Sequence, residues 1–455
     1  MGLRSRWRQW QFWQGRQGEW WTINDKVWPA LAVVIWFYRR LVLWRVTVIV
    51  VIGSLGKTTT MRLVSAAVGQ FVHPLAACNG NTRALVGLAM LRIRPWQRHA
   101  VVEVGLGKKG EMVHYARVLR PDVVIATAVA SDHNTSFETL TGIRDEKGIM
   151  PRMLRARDLL LVNGDDPNTR WMATQTRARV VLYGMDAENA VRGGEVKLDW
   201  PRGMRLRVQA GGEPLDVHTR MVGGPMVYPV LAAVAAAREL GVLLVGPGGA
   251  LARIAEVVPE YGRLQPVELA NGAVILRDEG KSGVETVETA LDVLAAVPAE
   301  RRIVVMGDLT EPMGTPREIR FIYRRIGERI GRVANRAIFM RGHASDFSHA
   351  TRRSGMARQN ITVAEDVYGA VEQLRGELGP GVVVLLKGRF GQRLERIALL
   401  LMGREVRCQI KYCQLKIMPC DVCPKLARAD GGMEQDLLPM PLRRILRLPT
   451  WRGRG

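Results

Sequence analysis

The chain has 455 residues, enough for two or three domains with their own hydrophobic cores. Its net charge of +23 favours polyanionic partners such as an anionic membrane, phosphate-rich substrates or nucleic acid. Nucleic acid is the least favoured of these, because no recognition motif accompanies the charge. The five cysteines are too few and too clustered for a secreted disulfide scaffold, which indicates a reducing, cytoplasmic compartment.

Residues 1–45 form a segment rich in tryptophan and arginine, with eight of the twelve tryptophans in the first 44 residues. Its apolar stretch VWPALAVVIWFY (27–38) is short, because a helix that spans a membrane needs about 20 apolar residues. Tryptophan and arginine together suit the headgroup region of a bilayer. The composition therefore favours peripheral association with the inner face of a membrane. Packing on the protein's own domain and a true span are the alternatives.

Strand and helix patterns alternate from residue 46 to about residue 260. A helical pattern at 58–71 follows the first apolar run, and an irregular, glycine-punctuated stretch covers roughly 181–225. This alternation predicts a central domain over 46–260 with a parallel sheet that helices cover on both faces. The predicted strands are VTVIVVIG (46–53), HAVVEVG (99–105), PDVVIATAV (121–129) and ARDLLLVNG (156–164).

A second set of strands and helices begins after PEYGRLQP (259–266), so we place a domain boundary near residue 261. A helical pattern at 282–297 separates its first two strands. The prediction is a smaller, Rossmann-like α/β domain over 261–405, followed by a tail over 406–455. Its predicted strands are GAVILRD (272–278), RRIVVMGD (301–308), RAIFMRG (336–342) and GVVVLLKG (381–388).

The first strand runs into GSLGKTTT (53–60), a glycine-rich turn before a helix. Backbone N–H groups of such a turn converge on an anion where the helix dipole favours negative charge. Lys57 then reaches the β- and γ-phosphates of a nucleotide, and the Thr58 hydroxyl is a ligand for Mg²⁺. The full Walker pattern has a glycine where this chain has Val51. The flanking strand and helix predict a P-loop ATP site formed by Gly53, Ser54, Gly56, Lys57, Thr58 and Thr59.

Two further side chains follow neighbouring predicted strands. Glu103 ends AVVEVG, and His133 follows VVIATAVASDH. An acid after a strand is often only solvated, and a single histidine is more often structural. On successive strands beside a phosphate loop, however, the pair predicts ligands for magnesium, together with Thr58.

The ordered set of motifs resembles the Mur ligases, the ATP-dependent amide-forming enzymes of peptidoglycan assembly, and within them the MurF type that adds D-alanyl-D-alanine. The resemblance covers about residues 46–400. Weaker similarities are YGRLQP (261–266), VVMGDLTEP (304–312) and LLKGRFGQRLERI (385–397). The specific motifs are GSLGKTTT (53–60), EVGLGKKGEM (103–112), TAVASDHNTSFETLTGIRDEKGIM (127–150) and LVNGDDP (161–167).

The resemblance implies roles for residues that the patterns alone do not explain. Lys147 matches the lysine that the family carbamoylates to supply an anionic ligand on the metal side. The alternative is an exposed helix lysine paired with Asp145 or Glu146. Asn81 is implied to orient substrate near the γ-phosphate. The implied catalytic set is Lys57, Asn81, His133 and Lys147.

The implied reaction moves the γ-phosphate of ATP to a substrate carboxylate, and an amine then attacks the acyl phosphate. ADP and phosphate leave, so the protein mainly positions reactants and neutralises charge. The resemblance also implies that Arg263 and Asp278 contact the nucleotide from the second domain. The expected substrates are a carboxylate together with an amino acid, a peptide or ammonia.

Three departures from the family pattern concern the substrate. Only about 45 residues precede the first strand, where the family carries a domain that binds a uridine nucleotide. GGPMVYPVLAA (223–233) places Pro225, Met226 and Pro229 where the family has polar side chains, and RDEGKSGVE (277–285) lacks the family's tyrosine and asparagines. We therefore expect an envelope-related substrate other than the soluble UDP-muramoyl peptide, and a lipid-linked one would suit the tryptophan-rich segment.

The tail carries four cysteines, Cys408, Cys413, Cys420 and Cys423, with the spacing C-x4-C-x6-C-x2-C. Two thiolates spaced C-x2-C can face one ion from a tight turn, so a structural Zn²⁺ site is the leading interpretation. An Fe–S cluster and free thiols are the alternatives. For the whole chain, the alternative to a ligase is an ATP-binding scaffold or regulatory protein with a ligase-like fold.

Overall fold

The computed structural model describes residues 28–69, 83–130, 137, 139–310, 312, 314–413 and 419–428. Asn81 and His133 lie outside these residues, so their predicted roles stay predictions. Within the described residues the strands form two sheets, of eight and six strands. Both sheets belong to an α/β fold, as the sequence predicts.

The first sheet has the strand order β2-β1-β3-β4-β5-β6-β7-β8. Its strands are β1 (Thr47–Ile52), β2 (His99–Glu103), β3 (Val123–Ala126), β4 (Leu159–Asn163), β5 (Arg179–Gly184), β6 (Val191–Asp199), β7 (Gly203–Gln209) and β8 (Leu215–Thr219). Its helices are α1 (28–37), which continues as a π-helical turn Tyr38–Val42, α2 (Lys57–Ala67), α3 (Arg83–Arg92), α4 (Glu111–Leu119), α5 (Leu140–Lys147), α6 (Ile149–Arg152), α7 (Pro167–Ala173), α8 (Val227–Glu239) and α9 (Ala250–Ala255).

Helices cover both faces of the parallel part of this sheet. Ile49 and Val51 of β1 belong to one buried cluster, which includes α2 and α8. Val48, Val50 and Ile52 belong to a second buried cluster on the opposite face. Alternate residues of one strand therefore enter different cores, which explains why β1 is apolar at every position after Thr47.

The irregular stretch at 181–225 contains an antiparallel extension that the sequence did not predict. β5 pairs with β6 in parallel, but β6–β7 and β7–β8 are antiparallel. Along β7, Met204, Leu206 and Val208 are buried while Arg205 and Arg207 are exposed. Alternation of this kind is typical of strands with only one buried face, whereas strands of the expected all-parallel sheet have two buried faces.

The second sheet has the order β13-β12-β11-β14-β10-β9, in which only β9 runs antiparallel to its neighbour. Four of its strands lie inside predicted runs, whereas β9 and β13 are four residues long and were not predicted. Its strands are β9 (Gln265–Glu268), β10 (Val274–Arg277), β11 (Arg301–Met306), β12 (Arg336–Met340), β13 (Ile361–Ala364) and β14 (Val382–Lys387). Its helices are α10 (Val284–Ala296), α11 (Pro316–Val333), α12 (Ala344–Arg353), α13 (Val367–Arg375) and α14 (Glu395–Leu401).

Helix α1 packs on the first sheet's domain through one face, where Trp28 and Ile35 are buried. Arg39, in the turn that follows, is also buried. Its guanidinium donates to the carbonyl oxygens of Leu119 and Leu43 at 3.1 and 2.7 Å, and to an Asp122 carboxylate oxygen at 2.6 Å. Packing on the protein's own domain is thus present. Among the described residues, no helix is long and apolar enough to cross a membrane.

We expect Arg39→Ala to lower the free energy of unfolding by about 2–4 kcal/mol, because it leaves buried carbonyl and carboxylate oxygens without a donor. Its neighbour Arg40 is the matched control, since it lies on the surface and donates only to exposed carbonyl oxygens. Arg40→Ala should cost less than about 0.5 kcal/mol. Urea unfolding of both variants measures the difference, and equal midpoints would contradict the assigned role of Arg39.

Candidate functional site

The glycine-rich turn lies at the carboxyl end of β1, pressed against the chain that leaves β3. Gly53 has φ +141°, and a Cβ there would come within 2.0 Å of Thr127 Oγ1. The Ser54 N–H donates to the Ala128 carbonyl oxygen at 2.6 Å, and Thr127 Oγ1 donates to the Leu55 carbonyl oxygen at 2.6 Å. The turn is therefore held by its neighbouring strand, and only glycine fits at position 53.

Gly56 has φ +75° and precedes Lys57, the first residue of α2. No side chain caps this helix N-terminus, so its first N–H groups have no side-chain acceptor. Lys57 is buried, and its Nζ donates to the Ser54 carbonyl oxygen at 3.1 Å. The start of α2 and the Lys57 ammonium thus lie beside the same turn, an arrangement that suits anion binding.

Lys147, at the end of α5, reaches the same turn. Its side chain is 2% exposed, and its Nζ lies 2.9 Å from Ser54 Oγ. The alternative interpretation of this lysine as an exposed helix residue is therefore wrong. Its neighbour Glu146 is also buried and accepts a hydrogen bond from the Met112 N–H at 3.0 Å. Lys147 thus reaches the phosphate turn although almost one hundred residues separate it from Ser54 in the sequence.

Glu103 and Thr58, two of the three predicted magnesium ligands, meet beside the turn. The Thr58 hydroxyl donates to Glu103 Oε2 at 2.8 Å. In the parallel ladder Val51 lies opposite Glu103, so the residue that replaces the Walker glycine is a strand residue here. The turn begins two residues later, at Gly53. This explains how the loop forms without a glycine at position 51.

Two acidic motifs shape the loops around the turn. Glu111 is buried and accepts hydrogen bonds from the N–H groups of Gly107 and Lys108 at 2.7 and 3.1 Å, which closes the loop after Glu103. Asp166 caps α7 through the Asn168 N–H and also accepts from the Val129 N–H at 2.8 Å. The second contact fixes the chain as it leaves β3, immediately before the segment that contains His133.

The segment GGPMVYPVLAA contacts both the turn and the second domain. Pro229 Cγ would lie 3.8 Å from a Cβ placed on Gly56, so an apolar ring flanks the phosphate turn. Tyr228 hydrogen-bonds to Asp165, and burial raises the pKa of Tyr228 to about 12. Gly223, with φ +89°, lies against Val293 of α10. In this chain the segment thus makes apolar contacts through Pro229 and against Val293, and one polar contact through Tyr228.

In the second domain Asp278 follows β10 and forms a buried ion pair with Lys387, the last residue of β14. Its other oxygen accepts from the Leu264 N–H at 3.0 Å, next to Arg263. Burial raises the pKa of Asp278 and lowers that of Lys387, while the attraction between them opposes both shifts. Lys387 was not singled out from the sequence, although a lysine that ends an apolar strand is a signal that could have identified it.

The four tail cysteines do not form a recognisable metal site. Cys408, Cys413 and Cys420 are buried, and Cys423 is partly exposed. Among the residues that the structure describes, no group of three or more His, Cys, Asp or Glu side chains could hold a metal ion. Burial raises the pKa of the Cys420 thiol far above its usual range. The predicted zinc site is therefore not supported.

Comparison with protein families identifies two consecutive domains. Residues 51–237 match the Mur ligase middle domain, and residues 262–390 match the Mur ligase glutamate ligase domain. A UDP-N-acetylmuramoyl-tripeptide--D-alanyl-D-alanine ligase of Escherichia coli is 27% identical over 58% of this chain and 58% of its own length. The ligase of the same name from Mycobacterium bovis is 26% identical over 79% of this chain and 73% of its own.

Solved structures share the fold. MurF from Acinetobacter baumannii has a TM-score of 0.71 at 18% identity, covering 83% of this chain and 81% of its own. MurF from Thermotoga maritima in complex with ADP has a TM-score of 0.68 at 18% identity, and each chain is covered to 83%. A Mycobacterium tuberculosis folylpolyglutamate synthase with ADP and AMPPCP has a TM-score of 0.59 at 16% identity, covering 83% and 95%.

We expect Gly53→Ala to weaken ATP binding by at least about tenfold, because φ and the contact with Thr127 both oppose a Cβ. Isothermal titration with ATP and Mg²⁺ measures the affinity. Gly194→Ala is the control, since that glycine has ordinary backbone angles and open space around it. An alanine at position 53 that leaves the affinity unchanged would overturn the assignment of this turn.

Proposed function

Since the chain belongs to the Mur ligase family, we propose that it is an ATP-dependent ligase that joins a carboxylate to an amine and releases ADP and phosphate. The observation that carries this proposal is the convergence at the phosphate turn. Thr58 bonds to Glu103, and Lys147 bonds to Ser54. A simple anion-binding turn needs neither the carboxylate nor the second lysine. Together they suit phosphoryl transfer.

We assign the ATP phosphates to the turn and the start of α2. The N–H groups of the helix N-terminus are placed to donate to an anion at this point, and the Lys57 ammonium adds a positive charge. Burial of Lys57 strengthens its interaction with phosphate, because water screens it less. The proposed phosphate contacts are Gly53, Ser54, Gly56, Lys57, Thr58 and Thr59.

The residues beside the turn fit a magnesium ion. The Thr58 hydroxyl and a Glu103 carboxylate oxygen lie 2.8 Å apart, and both are the hard oxygen donors that Mg²⁺ prefers. His133 is the third proposed ligand on the ground of the family resemblance. When bound, the ion neutralises charge that develops on the transferring phosphoryl group.

We propose that Lys147 acts at the metal side of the site, in carbamoylated form, as the family resemblance implies. Burial supports this role, since it holds the Lys147 side chain at the site rather than in solvent. The contact with Ser54 Oγ places the lysine against the phosphate turn. Asn81 is proposed to orient the acceptor near the γ-phosphate.

Arg263 and Asp278 are proposed to contact the nucleotide from the second domain. The hydrogen bond from Leu264 N–H to Asp278 joins the two positions, and Lys387 holds the other carboxylate oxygen. In the reaction these residues orient ATP, while Lys57 stabilises the negative charge on the phosphoryl oxygens. The amine then displaces phosphate from the acyl phosphate, and its proton leaves to solvent or a base.

The proposed substrate is a peptide or amino acid of the cell envelope. The names of the relatives point to a muramoyl tripeptide and D-alanyl-D-alanine, but the aligned part of the Escherichia coli relative is little more than half its length. The replacement of polar groups by Pro225, Met226 and Pro229 changes the wall beside the phosphate turn. We therefore propose an acceptor that differs from the soluble precursor, with a lipid-linked precursor as the first candidate.

An exposed apolar face on α1 supports a location at the membrane surface. Just after this helix, Leu41 and Trp44 are 70% and 66% exposed, and Phe37, its last residue, is 52% exposed. The Arg40 guanidinium covers the Trp36 ring at 3.9 Å, which places positive charge beside the apolar side chains. We propose that the exposed side chains between residues 33 and 45 bind anionic lipid at the inner face of the membrane. The apolar ones among them are Val33, Val34, Trp36, Phe37, Leu41, Val42 and Trp44.

The ligase proposal predicts acceptor-dependent ADP formation. Lys57→Ala should lower the rate by at least about 100-fold, because the transferring phosphoryl group loses its buried cation. Lys197→Ala, which removes an exposed lysine on β6, is the control and should keep the rate within about twofold. The assay measures ADP with UDP-muramoyl peptides, lipid-linked precursors or acidic peptides, each with amino acids or ammonium. ATP binding without ADP formation from any acceptor pair would favour the scaffold alternative.

The lipid proposal predicts binding to vesicles that contain phosphatidylglycerol. Replacing Phe37, Leu41 and Trp44 by serine should weaken co-sedimentation by at least about tenfold, because the buried apolar area is lost. Leu243→Ser with Val245→Ser is the matched control, since both side chains are exposed outside this face. Equal sedimentation of all three proteins, or none by the unmodified chain, would contradict a lipid-binding face.

A further inference from the structure

The described residues of the tail pack against the second domain, beyond the part of the chain that matches the family. Arg396 donates to the carbonyl oxygens of Cys408 and Ile410 at 3.2 and 2.8 Å. The Cys413 N–H donates to the Gly391 carbonyl oxygen at 2.8 Å. Leu426 closes a small apolar cluster with the end of α14. The tail is thus an ordered layer on this domain.

The tail contributes one acid to a group of buried charges. Three arginines and three acids make up this charge cluster, and of these only Asp421 comes from the tail. Arg277 donates to Glu279 Oε1 at 2.8 and 2.5 Å, and Arg393 pairs with Glu395 at 3.1 Å. The members of the charge cluster are Arg277, Glu279, Arg393, Glu395, Arg396 and Asp421.

Asp421 bridges two segments of the second domain. One carboxylate oxygen accepts a hydrogen bond from the Tyr261 hydroxyl, and the other lies 3.6 Å from Arg277 Nη1. The Arg277 guanidinium also stacks on the Tyr261 ring at 4.0 Å. One tail side chain therefore fixes the turn that contains Tyr261 against the end of β10.

These two segments are the ones that present the proposed nucleotide contacts. Arg263 follows Tyr261 by two residues, and Asp278 follows Arg277 directly. The segments are also joined through their backbones, since the Gly280 N–H donates to the Gly262 carbonyl oxygen at 2.9 Å. Two carboxylates thus hold the turn that contains Tyr261. Asp278, which follows β10, accepts from the Leu264 N–H, and Asp421 of the tail accepts from the Tyr261 hydroxyl.

We propose that Asp421 is a positioning residue for the nucleotide, which acts by holding the Tyr261 turn and the end of β10 in the arrangement that presents Arg263 and Asp278. The proposal rests on the proposed ATP site. Neutralising the tail carboxylate weakens its hydrogen bond with the Tyr261 hydroxyl and removes one of the two carboxylates that face Arg277. When the residues that contact the nucleotide are positioned less rigidly, the protein binds ATP more weakly.

The test is ATP binding by the full-length protein, measured by isothermal titration with Mg²⁺ present. Asp421→Asn keeps the shape and removes the charge, and we expect it to raise the Kd for ATP about five- to tenfold, at unchanged stoichiometry. Tyr261→Phe, which keeps the ring stacking, should raise it about two- to fivefold. A fault in folding alone would instead lower the number of binding sites and leave the Kd unchanged.

Glu405→Gln is the matched control, because this acid directly precedes the tail, is exposed and pairs with Arg407 at the surface. It should bind ATP as the unmodified chain does. If Asp421→Asn and Tyr261→Phe bind ATP with the same Kd as this control, the positioning role is wrong, whereas the proposed ligase function stands. If the unmodified chain itself does not bind ATP, the ligase proposal and this inference both fail.

Discussion

The contact between the phosphate turn and the chain that leaves β3 is the constraint on which the rest of the site depends. With Thr127 and Ala128 against Gly53, the turn has no room to move toward the sheet. Lys57, Thr58 and the first turn of α2 are therefore presented at one fixed position. Glu103 and Lys147 reach that position from β2 and α5 because the carboxyl ends of parallel strands share one edge of the sheet.

The sequence predicted those parts of the molecule whose residues act within a few positions of each other. The strand before the turn, the turn and the helix after it are contiguous, so their pattern suffices. Glu103 was predictable because it ends an apolar run, and in the structure its carboxylate accepts a hydrogen bond from the Thr58 hydroxyl. The two-sided core follows in the same way, since β1 has no polar residue after its first position.

Features that depend on distant segments were not predictable from such patterns. Lys147 appears in a run of charged residues, where exposure is the ordinary expectation, and only packing shows that it is buried. The pairing of Asp278 with Lys387 joins residues more than one hundred positions apart. The antiparallel strands after β5 were missed because glycines obscure their alternation. The cysteine spacing suggested a metal, whereas the described tail is held by arginine and apolar contacts.

The buried charge cluster limits which substitutions this chain can accept. Its arginines and acids are equal in number, and burial raises the pKa of Glu279 to about 7. Losing Glu279 or Glu395 leaves a buried arginine without its nearest carboxylate, at a cost of about 3–5 kcal/mol. Because Asp421 lies in the tail and Arg277 at the end of a sheet strand, a change of charge at either position alters the surroundings of the other.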